Sequence, residues 1–414
     1  MKTIFQIAWK NIWRNKLRSS IVLLAIIIGL VGGIFYLAFA NGLIQTLIKS
    51  SINSKLSNIQ IHNPEFLINS ETKQKIVNTK KILEKLKTVN NIKGISTRII
   101  TNSMISSANT GTGVVLNGIA PQEEKNVTDI YSKIIKGTYF EKKVRNSILI
   151  SSKLAEKLKV KVKSKVVVTL QNLNNEITYG AFRVIGIYKT EDTNFDLLNT
   201  FVLKDDLKNL IKYNSYEAVE IAILLNHNNF TDETEIQIKK ILSDEINKKE
   251  IVVRSWKEIQ PVLKMMNDMT IQFAMIFVII ILVSLSFAII NTMLMAIMER
   301  VREIGMLMAI GMSKPRVFFM IMLETIFLSL TGGVIGILIS WLLIHFTFKT
   351  GIDLSQFGEG LNSYGYSSFV KPELENIYYF LITLLVIVMA IFASILPVRK
   401  ALKLNPSEAI RQDA

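Results

Sequence analysis

Residues 19–48 read SSIVLLAIIIGLVGGIFYLAFANGLIQTLI, a stretch without a single charge. An α-helix rises about 1.5 Å per residue, so roughly 20 apolar residues cross a hydrocarbon core of about 30 Å. The apolar heart of this stretch, 21–40, has that length by itself. Working outward, three more blocks of the same kind follow at about 269–298, 317–348 and 377–398. The residues between the first two blocks are polar. The chain therefore reads as a membrane protein of four transmembrane α-helices, with one large domain, 49–268, inserted between helices 1 and 2. Half of the 414 residues are apolar, and this pattern places them without requiring one large soluble core. Ala38-Phe39-Ala40 resembles a signal-peptidase site, but the apolar run is longer than a signal sequence needs and its basic preface is amphipathic, so the block is expected to remain as a span.

The net charge of +16 sits largely beside the apolar blocks. Lys2, Lys10, Arg14, Lys16 and Arg18 precede the first. Arg300, Arg302, Lys314 and Arg316 lie between the second and third. Arg399, Lys400, Lys403 and Arg411 follow the fourth. The connection between the third and fourth holds Lys349 and Lys371 against Asp353, Glu359, Glu373 and Glu375. Short basic flanks stay in the cytoplasm. Both termini and the connection between the second and third blocks are thus expected in the cytoplasm, with 49–268 outside. The charge reads as a topology signal, and no nucleic-acid partner is expected. With no cysteine, disulfides and thiolate metal sites are excluded, and His62, His227 and His345 are far apart.

Gly29, Gly32 and Gly33 in the first block, and Gly332, Gly336 and Ser340 in the third, would let helix backbones approach closely. Glu324, about two turns inside the third block, needs a partner or an interfacial position. The outer segment reads as mixed α/β. Helices are expected at 72–86 and 231–246, and strands at 95–100, 113–118, 147–150, 165–170 and 181–188. Ser151-Ser152 suits a helix cap, Asp205-Asp206 a solvated helix start, and 172–175 a turn. There is no Gly-rich phosphate loop, no Gly-Lys-Ser/Thr, no defensible carboxylate pair and no nucleophile motif. No catalytic, cofactor-binding or metal residue is assigned. If ATP is used, another polypeptide is expected to bind it.

The second block runs on into Glu299-Arg300-Val301-Arg302-Glu303-Ile304-Gly305 and then Met306-Leu307-Met308-Ala309-Ile310-Gly311. A charged turn leads into an apolar one, broken by Gly305 and Gly311. Such a short amphipathic segment suits docking into a groove on a partner.

This segment closely resembles the signature of the MacB/FtsX-like ABC transporter permeases, Glu-Arg-x-x-Glu-Ile-Gly-x-x-x-Ala-x-Gly, matched at Glu299, Arg300, Glu303, Ile304, Gly305, Ala309 and Gly311. The ending, with Pro397, Arg399, Ala401, Pro406, Glu408, Ala409, Ile410 and Arg411, resembles the family's ending. Residues 8–19 look like its amphipathic entry helix. Residues 148–158 and 182–187 resemble its β-rich outer subdomain, although Lys163-Ser164-Lys165 stands where a Gly is usual. The resemblance implies an amphipathic helix at 1–18, a MacB-like periplasmic core domain at 49–268 and an FtsX-like permease domain at 269–414. The outer domain would comprise a porter-like α/β part near 49–125 and 213–265 and a β-rich insertion near 126–212. Within the permease domain, 299–316 would couple to an ABC ATPase subunit through Glu299, Arg300, Arg302, Glu303, Ile304, Gly305, Leu307, Ala309 and Gly311. The implied partners are that ATPase, which uses the ATP, a second permease copy or paralogue, and possible periplasmic carriers.

Within the family the chain resembles the lipoprotein-releasing LolC/LolE type of permease, to which residues 59–64 are also similar. Drawing acyl chains from a bilayer at ~0.8 kcal/mol per CH₂ requires tens of kcal/mol, hence an ATPase. MacB-like export of another amphiphile or peptide, and an FtsX-like mechanical relay without transport, are the alternatives. A lateral cleft for a lipoprotein or lipid-like substrate is expected along Gly32, Phe35, Tyr36, Phe39, Phe273 and Phe277.

Overall fold

The computed structural model describes residues 2–14, 16–66, 73–140, 144–213 and 217–402. The motif residues Pro406, Glu408, Ala409, Ile410 and Arg411, and Lys403 and Thr72, lie outside them. The chain divides into two compact units. One holds Met1–Ile44, Asn267–Asp353 and Phe369–Ala414; the other holds Gln45–Met266 and Leu354–Ser368. Residues 354–368 thus join the outer unit instead of the permease domain to which the sequence assigns them. The reason is local. Asn194 Nδ2 donates to the Ser363 carbonyl at 3.2 Å, and Gly365, at φ +80°, lies against Leu47 and Asp192.

The helical unit begins with an entry helix, Lys2–Arg14. Four long helices follow: Lys16–Ser51, Pro261–Glu299, Lys314–Thr350 and Asn376–Leu402. Each is long and apolar enough to cross a membrane. Each also starts before its apolar block, because a helix continues into polar sequence until a cap or a breaker ends it. The glycines of the third helix meet the first. A Cβ on Gly332 would stand 2.9 Å from Ile26 Cγ2, and one on Gly336 3.0 Å from Leu30. Ser340 donates back to the Gly336 carbonyl at 2.7 Å. The small-residue stripe therefore serves helix packing. Gly42 likewise faces the backbone of Lys371 and Pro372, where a Cβ would come within 2.2 Å of the Lys371 carbonyl oxygen. Asn41 Nδ2 donates to the Glu373 carbonyl there at 2.8 Å.

The outer unit is built on a ten-stranded sheet. Its strands are β1 (Ile59–His62), β2 (Ile92–Ser106), β3 (Gly111–Ile119), β4 (Ile134–Gly137), β5 (Ser147–Ser151), β6 (Lys165–Gln171), β7 (Ile177–Tyr188), β8 (Asn199–Leu203), β9 (Glu220–Leu225) and β10 (Val252–Ser255). They run in the order β10-β1-β9-β2-β3-β8-β5-β7-β4, with β6 on β2 and β7. The long strand β2 serves two parts. Its first half pairs with β9 and its second with β3 and β6. The β-rich part therefore begins inside β2, earlier than the expected 126.

Five strands escape the sequence reading: β1, β4, β8, β9 and β10. The segment β9 is buried along its whole length, so it shows no alternation, the signal on which that reading depends. Helix 72–86 is shorter than expected and covers only Thr79–Leu86. Ahead of it, Ile76 N donates to the Ala218 carbonyl at 2.8 Å, and Asn78 sits at φ 55°. The expected helix 231–246 breaks at Leu242 into Thr231–Ile241 and Ser243–Asn247. Ser151 caps Ser152–Leu158 by accepting from Leu154 N. Asp205 and Asp206 do start a helix, Lys204–Ile211, and Asp205 is exposed, but Asp206 is buried and accepts from Asn146 N at 2.7 Å. Lys163, at the turn where the family's glycine is missing, takes φ +74°, the left-handed geometry that glycine adopts without penalty.

At the junction of the two parts lies Arg98, buried on β2. Its guanidinium donates to Glu124 and Glu220, each at 2.7 Å, and to the Lys55 carbonyl at 3.0 Å. Lys55 belongs to a π-helical turn, Ile52–Leu56, that continues the first membrane helix. One cation thus fastens that turn, the α/β part through Glu220 and the short helix Pro121–Glu124. His62 completes the cluster, 3.5 Å from Glu220. Burial pushes its pKa below the ordinary 6.5, against the raising effect of Glu220.

Candidate coupling site

After Glu299 the second membrane helix stops, with Arg300 turning to φ −104°. The bridging helix Val301–Ala309 follows. Gly305 does not break it, contrary to the sequence reading. It is a buried position within the helix. Gly311 does end it, at φ +100°, and Ser313 precedes the third membrane helix, which carries Pro315 in its first turn.

The nine residues singled out from the sequence divide into two groups. Ile304 and Gly305 are buried, like their neighbour Val301, and Leu307 is half-buried against the helical core. Glu303 accepts two bonds from Arg14 Nη2 at 2.6 and 2.7 Å. Arg300 Nη1 donates to both oxygens of Glu324, at 3.1 and 3.2 Å, with little exposure on either side. This pair supplies the partner that Glu324 requires. Ile304, Gly305, Leu307, Arg300 and Glu303 thus hold the bridging helix in place. Glu299, Arg302, Ala309 and Gly311 are exposed, together with Met306 at 48% and Ile310 at 86%. Of the apolar turn read from the sequence, Met306 and Ile310 are therefore the exposed surface, while Leu307 packs against the helical core. A cavity of about 350 Å³ opens beside the helix. Met293, Ile297, Leu307 and Met320 line it, and the two ion pairs stand at its edge.

Arg14 belongs to the entry helix, and nothing in the sequence pairs it with Glu303, 289 residues away. Among the described residues no group of three or more His, Asp or Glu could hold a metal.

At the expected lateral cleft, Tyr36 and Phe277 meet, with ring centroids 5.2 Å apart and planes inclined at 53°. Toward the N-terminal end of the first membrane helix, Gly33 faces Val278, and Gly29 faces Leu285, where a Cβ would lie 3.3 Å from its Cδ1. The first and second membrane helices are thus neighbours at this depth. Gly32 has no heavy atom within 4 Å of where its Cβ would be. Phe273 and Phe277 are half exposed, while Phe35 and Phe39 are half buried.

The model of the MacB-like periplasmic core domain matches residues 19–241, and that of the FtsX-like permease C-terminal domain matches 275–406. The chain belongs to the MacB/FtsX-like permease family. Among its relatives, it is 24% identical over 80% of its length to the pyoverdine export ATP-binding/permease protein PvdT of Pseudomonas fluorescens (strain Pf0-1), and covers 50% of that protein. It is also 24% identical over 81% of its length to the lipoprotein-releasing system transmembrane protein LolC of Buchnera aphidicola subsp. Schizaphis graminum, covering 81% of it. The chain spans about half the length of the export protein and most of LolC. The periplasmic region of MacB from Actinobacillus actinomycetemcomitans is similar over 53% of this chain and 97% of that one, at 14% identity and a TM-score of 0.37. With four apolar helices of spanning length, this family member is a multi-pass membrane protein.

Proposed function

We propose that the chain is the permease subunit of an ATP-driven exporter. Its bridging helix takes up motion from a separate ABC ATPase subunit, and the membrane helices relay that motion to the outer domain. The observation that carries this reading is the exposed pair Met306 and Ile310, on a helix otherwise tied down by buried side chains and two ion pairs. An exposed apolar pair on a short helix between charged residues has reason to persist if a partner covers it, and burying such side chains contributes about 1.5–3 kcal/mol each. Both termini and this helix lie in the cytoplasm in this reading, following the basic flanks. The permease works as a dimer with a second copy or a paralogue.

Its cargo is a lipid-anchored protein released from the inner membrane, with possible hand-over to a periplasmic carrier. The likeness to LolC, spread over 81% of both chains, supports that choice. The equal identity to PvdT supports the second reading, export of another amphiphile. The deciding experiment is to purify the complex with its ATPase trapped before hydrolysis and to identify what comes with it. Lipid-anchored protein that leaves when ATP is added supports release. A small amphiphile in its place supports the second reading.

A further inference from the structure

We propose that the entry helix Lys2–Arg14 is an anionic-lipid-binding element, and that its Arg14–Glu303 pair ties the bridging helix to the membrane surface. At about 100° per residue, Phe5, Trp9 and Trp13 fall within an arc of roughly 80° on one side of the helix. They are 48%, 46% and 47% exposed, and Leu17 just beyond the helix is 76% exposed. The neighbouring face, with Ala8 and Ile12, is buried. Phe5 and Trp9 touch the third membrane helix edge-on through Phe327, at 5.9 and 5.6 Å. On the other flank of the aromatic arc stand Lys10 and Arg14, with Lys16 following, all exposed.

Core face, aromatic face and basic face therefore run in sequence around the helix. That order suits a helix lying in the membrane interface, with its rings among the upper acyl carbons and its cations at the phosphates. Charge decides the occupant. Lys10 and Lys16 form no ion pair among the described residues, and Arg14 gives Glu303 only its Nη2. Its Nε and Nη1 remain for a headgroup phosphate, so one guanidinium can hold a lipid and Glu303 together. The tie to the bridging helix rests on the coupling role proposed above; the lipid binding does not.

The test uses the full chain in nanodiscs of phosphatidylcholine with and without phosphatidylglycerol. The chain has no cysteine, so single labels report alone. A nitroxide on Gln6→Cys, an exposed position beside the aromatic arc, should be reached by oxygen and shielded from a water-soluble relaxant. Headgroup-labelled phosphatidylglycerol should relax it more than labelled phosphatidylcholine. That preference should fall by about fivefold for each of Lys10→Gln and Lys16→Gln. A nitroxide on Arg302→Cys should gain mobility in the Glu303→Gln variant. Full exposure of the Gln6 label to water, or equal response to the two lipids, overturns the lipid site. Unchanged mobility at 302 overturns the tie. None of these readouts depends on the ATPase, so failure of the coupling reading shows separately, as normal ATPase association in an Ile310→Glu variant.

Discussion

Arg98 ties three segments of the outer unit to one another. It is buried with two carboxylates and a backbone carbonyl as partners, and removing it strands Glu124 and Glu220 away from water. Breaking a buried pair in this way costs about 3–5 kcal/mol, so Arg98→Ala should lower the melting temperature of the outer unit sharply, as read by thermal unfolding in detergent. His62 adds a pH dependence. Its folded-state pKa lies below the ordinary 6.5, chiefly through burial. As pH falls, the unfolded chain takes up the proton first. The stability contributed by the neutral imidazole is complete above about 6.5 and is lost as pH falls through the folded value. Between about pH 7 and about pH 5 the wild type should lose more stability than His62→Phe does, measured by parallel melts. Lys163 makes the opposite case. A lysine at φ +74° carries a left-handed penalty that glycine avoids, so Lys163→Gly should raise stability by about 0.5–1 kcal/mol.

At the scale of elements, the bridging helix separates what holds it from what it offers. Ile310→Glu places a charge on a side chain that is almost fully exposed, so the protein should fold and insert normally while losing its ATPase partner in pull-down. Leu307→Glu places the charge in the helical core and should lower expression and stability before any effect on the partner is seen. If both variants keep the partner and full ATP turnover, the coupling assignment is wrong. The membrane helices offer a similar contrast. Gly336→Ile overfills the contact with Leu30, at a penalty of about 1–3 kcal/mol, and should show as a lowered melting temperature. Gly32→Ile fills open space and should leave it unchanged.

For the whole molecule, the basic flanks and the apolar blocks make a topology that single cysteines can read. A cysteine near Asn229 should be labelled from outside intact cells, and one at Ser313 only after they are broken; the reverse pattern would invert the model. A photo-crosslinking residue at Phe277, half exposed beside Tyr36, should trap the lipid-anchored cargo without ATP and lose it when ATP is added. Crosslinks only to the permease's own helices would make the aromatic pair structural. The four spans, the amphipathic entry helix and a short amphipathic segment after the second span were all legible in the chain. Each is a local matter of hydropathy and periodicity, and solvent selects it whatever the rest of the protein does. The small-residue spacing at Gly332 and Gly336 was legible for the same reason. Tertiary structure alone decided the partners. Glu303 and Arg14 meet across 289 positions, Arg98 gathers carboxylates from two distant segments, and Leu307 turns inward while Ile310 turns out. Fully buried strands such as β9 carry no alternation to betray them. Buried charges find their counter-charges through the fold, because leaving one unpaired away from water costs more than any local preference can outweigh.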